Sequence, residues 1–303
     1  MRIDVQGIPI ACEVRGEGTP ILLIHGWSAD HRYMLADLEP IFDVYPGWRR
    51  IYFDLPGHGA TPAPEWLSTQ DQMLSIVQGF IDAALPEGPF AVAGNSYGGH
   101  LALALIRSLP DRLRGAALLV PDAPARDGTR DLPDPVTIFE DSSIFGDLAP
   151  DEEWIPGALP VHERRMLDEI RAHDMPGYRA ADYEFLARLE ANYLLTGPAA
   201  RPGPPFARPS LILTGRQDSR VGYRGAWGLV EELPRATYAV LDLAGHHLGR
   251  IERPELFGAL VGDWLERMAA AAPPRRRVAP TAAVQWPCRD DPRRCRDDSR
   301  PHR

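Results

Sequence analysis

Phe90-Ala91-Val92-Ala93-Gly94-Asn95-Ser96-Tyr97-Gly98-Gly99-His100-Leu101 runs from an apolar stretch straight into a helical pattern. The run from Phe90 to Gly94 is short, continuous and apolar, as suits a strand buried on both faces. From Gly98 to Leu109 apolar residues recur at helical spacing. Between the two stands G-x-S-x-G. On so sharp a strand-to-helix turn, a serine holds its oxygen clear of the sheet, as a nucleophile must. Gly94 and Gly98 keep side chains out of the crowded turn, and Gly99 lets the helix pack closely. The helix N-terminus aims backbone N–H groups at the same place, where developing negative charge is favoured.

Serine by itself is a poor nucleophile at neutral pH. It needs a general base, and the base needs an orienting carboxylate. Candidates follow downstream, each just past an apolar run. Leu211–Leu213 leads into Thr214-Gly215-Arg216-Gln217-Asp218, and Tyr238–Leu241 leads into Asp242-Leu243-Ala244-Gly245-His246-His247. In open α/β sheets, ligands bind beyond the carboxyl ends of the strands. The chain order is therefore Ser96, then Asp218, then His246 or His247. Asp122, just past the Ala116–Val120 run, competes with Asp218 for the acid.

The same alternation extends along the chain. Arg2–Val5, Ile8–Val14, Ile21–His25 and Arg50–Asp54 also read as strands, while Gln70–Leu85, Gly225–Leu233 and Glu255–Ala270 read as helices. Strands alternating with helices predict the α/β class, with a mostly parallel, doubly wound sheet of about eight strands. From Ala123 to Pro209 the rhythm breaks. Pro- and Asp-rich loops are followed by helical patterns around Asp151–Ala172 and Arg179–Leu195, with no strand-like run. Residues 123–209 thus read as a helical cap inserted in a core formed by 1–122 and 210–272.

On these motifs the body of the chain, residues 1 to about 270, resembles the α/β-hydrolase-fold serine hydrolases. His25-Gly26-Trp27 resembles that family's oxyanion strand end, and Asp54-Leu55-Pro56-Gly57-His58-Gly59 its D-x-x-G-x-G loop. Gly94 to Gly99 matches the nucleophile turn, Gly215 to Asp218 the acid loop, and Gly245-His246 the histidine loop. The resemblance implies Ser96 as nucleophile, Asp218 as acid, His246 as base, and the backbone N–H groups of Trp27 and Tyr97 as the oxyanion hole. A Glu commonly follows the family's histidine by five residues. Here Glu252 lies five after His247 and six after His246, so His246 requires a one-residue expansion. The implied activity is hydrolysis of a small or medium acyl compound, with a carboxylic ester as the default. Carbon–carbon bond hydrolysis and acyl transfer use the same residue types, and a non-catalytic ligand-binding relative is a further alternative. His25, His58 and Asp54 lie in glycine-rich loops and are expected to be scaffold. Trp154, Tyr183, Phe185 and Tyr193 are candidates for the pocket lining.

Composition narrows the chemistry. The 303 residues are 44% hydrophobic and 25% charged, with a formal net charge of −9. That acidity argues against nucleic acid or an anionic membrane as partner, and leaves a small-molecule substrate. All 33 basic residues are Arg, so Schiff-base, pyridoxal-attachment and Walker A lysine chemistry is excluded. Cys12, Cys288 and Cys295 make neither a disulfide framework nor a convincing zinc site, so no cofactor or metal is expected. No apolar run approaches the length of a spanning helix, and the N-terminus lacks a signal-like apolar core, so a cytoplasmic location is expected. From Pro273 to Arg303 the chain carries nine Arg, four Asp and little apolar material. Such a segment cannot offset its chain entropy by burial and is expected to be disordered. Truncation after Ala272 should therefore leave the thermal midpoint and kcat nearly unchanged; a midpoint lower by many degrees would show a docked tail.

Overall fold

The computed structural model describes residues 1–86, 88–123 and 128–270. The tail from Pro273, with Cys288 and Cys295, lies outside the described residues.

Eight strands form one sheet: β1 (Arg2–Val5), β2 (Ile8–Arg15), β3 (Thr19–Ile24), β4 (Trp48–Phe53), β5 (Phe90–Asn95), β6 (Leu113–Leu119), β7 (Ser210–Gly215) and β8 (Ala236–Leu241). Their order is β1-β2-β4-β3-β5-β6-β7-β8. The β1–β2 and β2–β4 pairs are antiparallel, and the pairs from β4 onward are parallel. Every residue of β5 and β7 is buried, because helices cover both faces of the parallel part. Alternate residues face opposite layers. Leu22 and Ile24 of β3 and Val92 of β5 pack with α2 (Gln70–Ala84) and α3 (Tyr97–Ser108). Ile21 and Leu23 of β3 and Ala91 and Ala93 of β5 pack with α1 (His31–Val44) and the C-terminal helix Pro254–Ala270.

α1 is absent from the sequence pattern, and Pro40 in its interior is the reason. The helix forms because Asp30 caps it, accepting the Arg32 N–H, and because Tyr33, Met34, Leu38, Ile41 and Phe42 are buried on one side.

Between β6 and β7 the described residues include four short α-helices, α4 (Ile155–Ala158), α5 (Arg164–Glu169), α6 (Met175–Ala180) and α7 (Tyr183–Glu190), and several single 3-10 turns. A wide, π-type turn, Ile170–Asp174, joins α5 to α6. The first of the two longer helical patterns, Asp151–Ala172, is broken by Pro156, Gly157 and Pro160, and the second, Arg179–Leu195, is restarted at Asp182, whose side chain accepts the Phe185 N–H and caps α7. The segment has its own small core of Ile155, Leu159, Met166, Leu167, Ile170 and Met175, and this packs on Ile251 of the sheet-bearing part. After β7, the expected Gly225–Leu233 helix is two single turns, α8 (Arg224–Trp227) and α9 (Leu229–Glu232), divided at Gly228. The C-terminal helix, Pro254–Ala270, is α10.

The β5–α3 turn is as crowded as its glycines suggest. A Cβ on Gly94 would lie 2.1 Å from the Gly98 carbonyl oxygen, and one on Gly98 would lie 2.1 Å from that of Ile24. A Cβ on Gly99 would lie 2.9 Å from Pro121 Cα. Backbone cannot yield as a flexible side chain can. Gly98→Ala is therefore expected to cost roughly 2 kcal/mol or more, or to prevent soluble expression. Gly258→Ala on α10, where nothing lies within 4 Å, should instead be neutral or stabilising. Urea unfolding of the two variants checks this contrast.

Candidate active site

Ser96 stands between β5 and α3 with φ 52° and ψ −113°, a conformation that L-residues seldom adopt. The surroundings hold it there. Its N–H donates to the Leu119 carbonyl at 2.8 Å, and its own carbonyl accepts from His100 N–H at 3.0 Å and Asp122 N–H at 3.1 Å. The end of β6 and the first turn of α3 thus grip the serine from two sides.

Ser96 Oγ lies 3.0 Å from His246 Nε2, and His246 Nδ1 lies 2.9 Å from Asp218 Oδ2. Asp218 is fully buried, and its Oδ1 accepts the N–H groups of Arg220 at 2.8 Å and Val221 at 3.0 Å. Burial pushes its carboxyl upward, but the imidazole and the backbone donors outweigh this and hold it below the usual carboxylate range. As Asp218 is an acceptor, the Nδ1 proton of His246 faces it, which turns Nε2 towards Ser96 Oγ.

Two loops from different strands make this meeting possible. A Cβ on Gly215 would lie 2.2 Å from the Gly245 carbonyl oxygen, so the loops touch backbone to backbone. The Gln217 side chain links them further, donating to Asp242 at 2.9 Å and accepting the Ala244 N–H at 3.1 Å. The expansion before Glu252 is also visible. Leu248–Glu252 forms a wide turn with Gly249 at ψ −117°, which takes up the extra residue. Glu252 still reaches back to accept the Gly245 N–H at 2.7 Å. Burial pushes the Glu252 carboxyl well above its ordinary range. His247 points elsewhere, with Nδ1 3.2 Å from Asp174 Oδ2.

Asp122 does not meet His246. Its carboxylate takes two hydrogen bonds from Arg130, at 2.8 and 2.7 Å, and a short one from the Tyr193 hydroxyl. Burial raises its pKa, but these donors bring it below the usual range. Trp27 and Tyr97 flank Ser96. A Cβ on Gly26 would lie 3.3 Å from Ser96 Cβ, which puts the loop after β3 directly against the serine. Tyr97 is the first residue of α3, where a backbone N–H has no acceptor within the helix.

A cavity of about 630 Å³ opens over Ser96 and His246. Trp27, Tyr33, Trp154, Tyr178, Tyr183 and Tyr193 line it, with Arg130, Arg220 and His247. Of the four aromatic residues expected there, Phe185 is the exception. It is wholly buried against Gly57, where a Cβ would come within 2.2 Å of its ring. Tyr33 and Tyr178 carry no sequence signal, since one lies on the unassigned α1 and the other between the two helical patterns read from the sequence.

The scaffold residues are tied down as expected. His25 Nδ1 bonds the Gly26 carbonyl at 2.8 Å while its Nε2 accepts the Leu55 N–H at 3.0 Å, and His58 Nδ1 donates to the Pro56 carbonyl at 2.9 Å. Asp30, His31 and Asp54 bring possible ligand atoms within 4.8 Å of one another. All three are already engaged. Asp30 binds Arg32, and Asp54 accepts from the His31 backbone, the His31 ring and the Ala60 N–H.

Comparison with known proteins agrees with the architecture. Residues 19–146 match the family model of the alpha/beta hydrolase fold. The chain is 29% identical over 269 residues to the dihydrolipoyllysine-residue acetyltransferase component of an acetoin cleaving system from Cupriavidus necator, covering 85% of this chain and 67% of that protein. It is 34% identical over 106 residues to a pimeloyl-(acyl-carrier protein) methyl ester esterase from Legionella pneumophila, covering 35% of this chain and 39% of that one. With 2-hydroxymuconate semialdehyde hydrolase from a Pseudomonas species it shares 25% identity over 300 residues, covering 89% of this chain and 95% of the relative. Among solved structures, an alpha/beta superfamily hydrolase from Oenococcus oeni superposes with a TM-score of 0.78 at 27% identity, covering 86% of this chain and 96% of the other. The chain has the architecture of the α/β-hydrolase-fold enzymes. Among the described residues, no helix is long and apolar enough to cross a membrane.

The buried histidines predict an acid response. Burial pushes His25 below its ordinary value, and burial together with the neighbouring His25 pushes His58 down to about 3. Both are neutral in the folded protein near neutrality, whereas unfolding frees imidazoles that bind protons below about pH 6.5. Stability should therefore be full above that pH and fall as pH drops from 6.5 towards 3. Asp54, held at about 2, adds its loss only below about pH 4. Urea unfolding at about pH 7, 5.5 and 4.5 measures the slope, which His58→Gln should flatten.

Proposed function

We propose that this enzyme is a serine hydrolase cleaving a small or medium acyl compound, by default a carboxylic ester, through an acyl-enzyme. The observation that carries this reading is the unbroken line from Ser96 Oγ through His246 to Asp218, at 3.0 and 2.9 Å. His246 takes the serine proton as Oγ attacks the carbonyl carbon. The tetrahedral oxyanion is received by the backbone N–H groups of Tyr97 and Trp27, and each such donor contributes roughly 3 kcal/mol to the transition state. His246 then protonates the leaving alcohol, which departs and leaves the acyl group on Ser96. Water enters, gives its proton to His246 and attacks the acyl carbon. Collapse of the second oxyanion frees the acid and returns the proton to Oγ. Asp218 stays ionised throughout, orienting the imidazole and stabilising its cation. The reaction calls on no cofactor.

Carbon–carbon bond hydrolysis is a second reading on the same three residues. It is favoured by the match to 2-hydroxymuconate semialdehyde hydrolase, which spans 95% of that relative. An ester panel set beside 2-hydroxymuconate semialdehyde separates the two by which compound turns over.

Ser96→Ala should abolish labelling by a fluorophosphonate and lower kcat by several orders of magnitude. Full labelling of that variant would place the nucleophile elsewhere. Asp218→Ala and His246→Ala should each be severely slowed, with the double variant little worse than His246→Ala, because residues acting as one unit are non-additive. Asp122→Ala should keep most of kcat. An inactive Asp122→Ala beside an active Asp218→Ala would move the acid to the end of β6.

A further inference from the structure

The cavity holds a second aspartate–histidine pair that the reaction does not use. His247 lines the cavity although only 4% exposed. Its Nδ1 lies 3.2 Å from Oδ2 of Asp174, which is 1% exposed and comes from the helical segment between β6 and β7. Asp174 is itself held, because Arg250 binds its Oδ1 in a short ion pair while also bonding Asp37 of α1 at 2.5 Å and Glu169 at 3.2 Å. The His247 ring stacks on Trp154 at 5.6 Å and meets the His246 ring edge-on at 6.3 Å. Ring orientation is thus fixed from three sides.

Only one of the two ring nitrogens is occupied by these contacts. Nδ1–H donates to a carboxylate already paired with arginine, so Nε2 presents a lone pair. Nε2 makes no hydrogen bond among the described residues, yet it is not one of the buried polar atoms sealed from solvent. In a ring that lines the cavity, the space left to it is the cavity. His25 shows the contrast: as scaffold, it has both nitrogens satisfied by backbone.

We propose that His247 is a substrate-binding residue, its Nε2 accepting a hydrogen bond from a hydroxyl group on an aromatic portion of the substrate. The aromatic preference comes from Trp154 and Tyr178, which line the same wall with rings packed edge-to-face at 5.7 Å. The fixed acceptor selects a donor, since a lone pair left dry against an apolar group costs free energy that a hydroxyl recovers. This assignment rests on the proposed hydrolase reading and names its substrate class.

The test uses p-nitrophenyl esters of phenylacetic acid and of its 2-, 3- and 4-hydroxy derivatives. The wild type should prefer at least one hydroxylated isomer to the parent by about tenfold in kcat/KM, the scale of one good hydrogen bond. His247→Phe, which keeps a flat ring against Trp154, should bring that ratio close to one. His247→Leu repeats the experiment without the ring. Fluorophosphonate labelling of Ser96 in each variant reports a folded, competent site. A wild type that shows no preference, or a preference that survives in a labelled variant, overturns the assignment. A wild type that takes neither label nor ester sinks the hydrolase reading instead, which keeps the two failures apart.

Discussion

The strained backbone of Ser96 is the constraint on which the site depends. Its φ of 52° is unfavourable for any side-chain-bearing residue, and the cost is met by the ends of three neighbouring strands. β6 supplies the Leu119 carbonyl to the serine N–H, and β3 presents the Ile24 carbonyl to the bare face of Gly98. β5 delivers the serine itself. This arrangement needs adjacent parallel strands whose carboxyl ends share one edge, and the order β3-β5-β6-β7-β8 provides them. The acid and histidine loops leave the same edge from β7 and β8.

A second set of buried interactions ties the helical segment to this edge. Arg250 follows the histidine loop and joins Asp37 of α1, Asp174 and Glu169. Buried charges are costly unless paired, and removing one partner leaves the other exposed to that cost. The cluster therefore favours one placement of the segment against the sheet, and with it one shape of the cavity roof. Asp122, Arg130 and Tyr193 act similarly on the other side, linking the end of β6 to the segment's return. The cavity is walled by groups that hold each other, which suits a site that must align three loops.

How far the fold was legible varied with burial. The parallel strands stand out as short apolar runs because both faces are covered, so nothing polar interrupts them. The helices α2, α3 and α10 announce themselves by their spacing. α1 does not, since Pro40 breaks the pattern that tertiary packing of Tyr33, Leu38 and Phe42 sustains. The region between β6 and β7 misleads in the opposite sense. Its apolar periodicity suggests two long helices, but Pro156 and Pro160 break the first, a wide turn interrupts it at Ile170–Asp174, and a new cap at Asp182 restarts the second. Phe185 has the composition of a pocket residue and the position of a core one, because Gly57 leaves a hollow that its ring fills.

Local sequence by itself determined the nucleophile turn, the two candidate histidines, the two candidate acids and their order along the chain. These are properties of residue type and of neighbours within a few positions. Only the tertiary structure decided which histidine meets Ser96 and which aspartate meets that histidine. His246 reaches the serine because the wide turn at Leu248–Glu252 absorbs one residue, and Asp218 reaches His246 because Gly215 and Gly245 allow two backbones to touch. Asp122 is drawn off by Arg130 and Tyr193, and His247 by Asp174. Each of these partners except Arg130 lies more than 70 positions away in sequence, with |i−j| of 71 for Tyr193 and 73 for Asp174. No short-range pattern can encode such a contact; it exists only once the sheet has brought its loops to one edge.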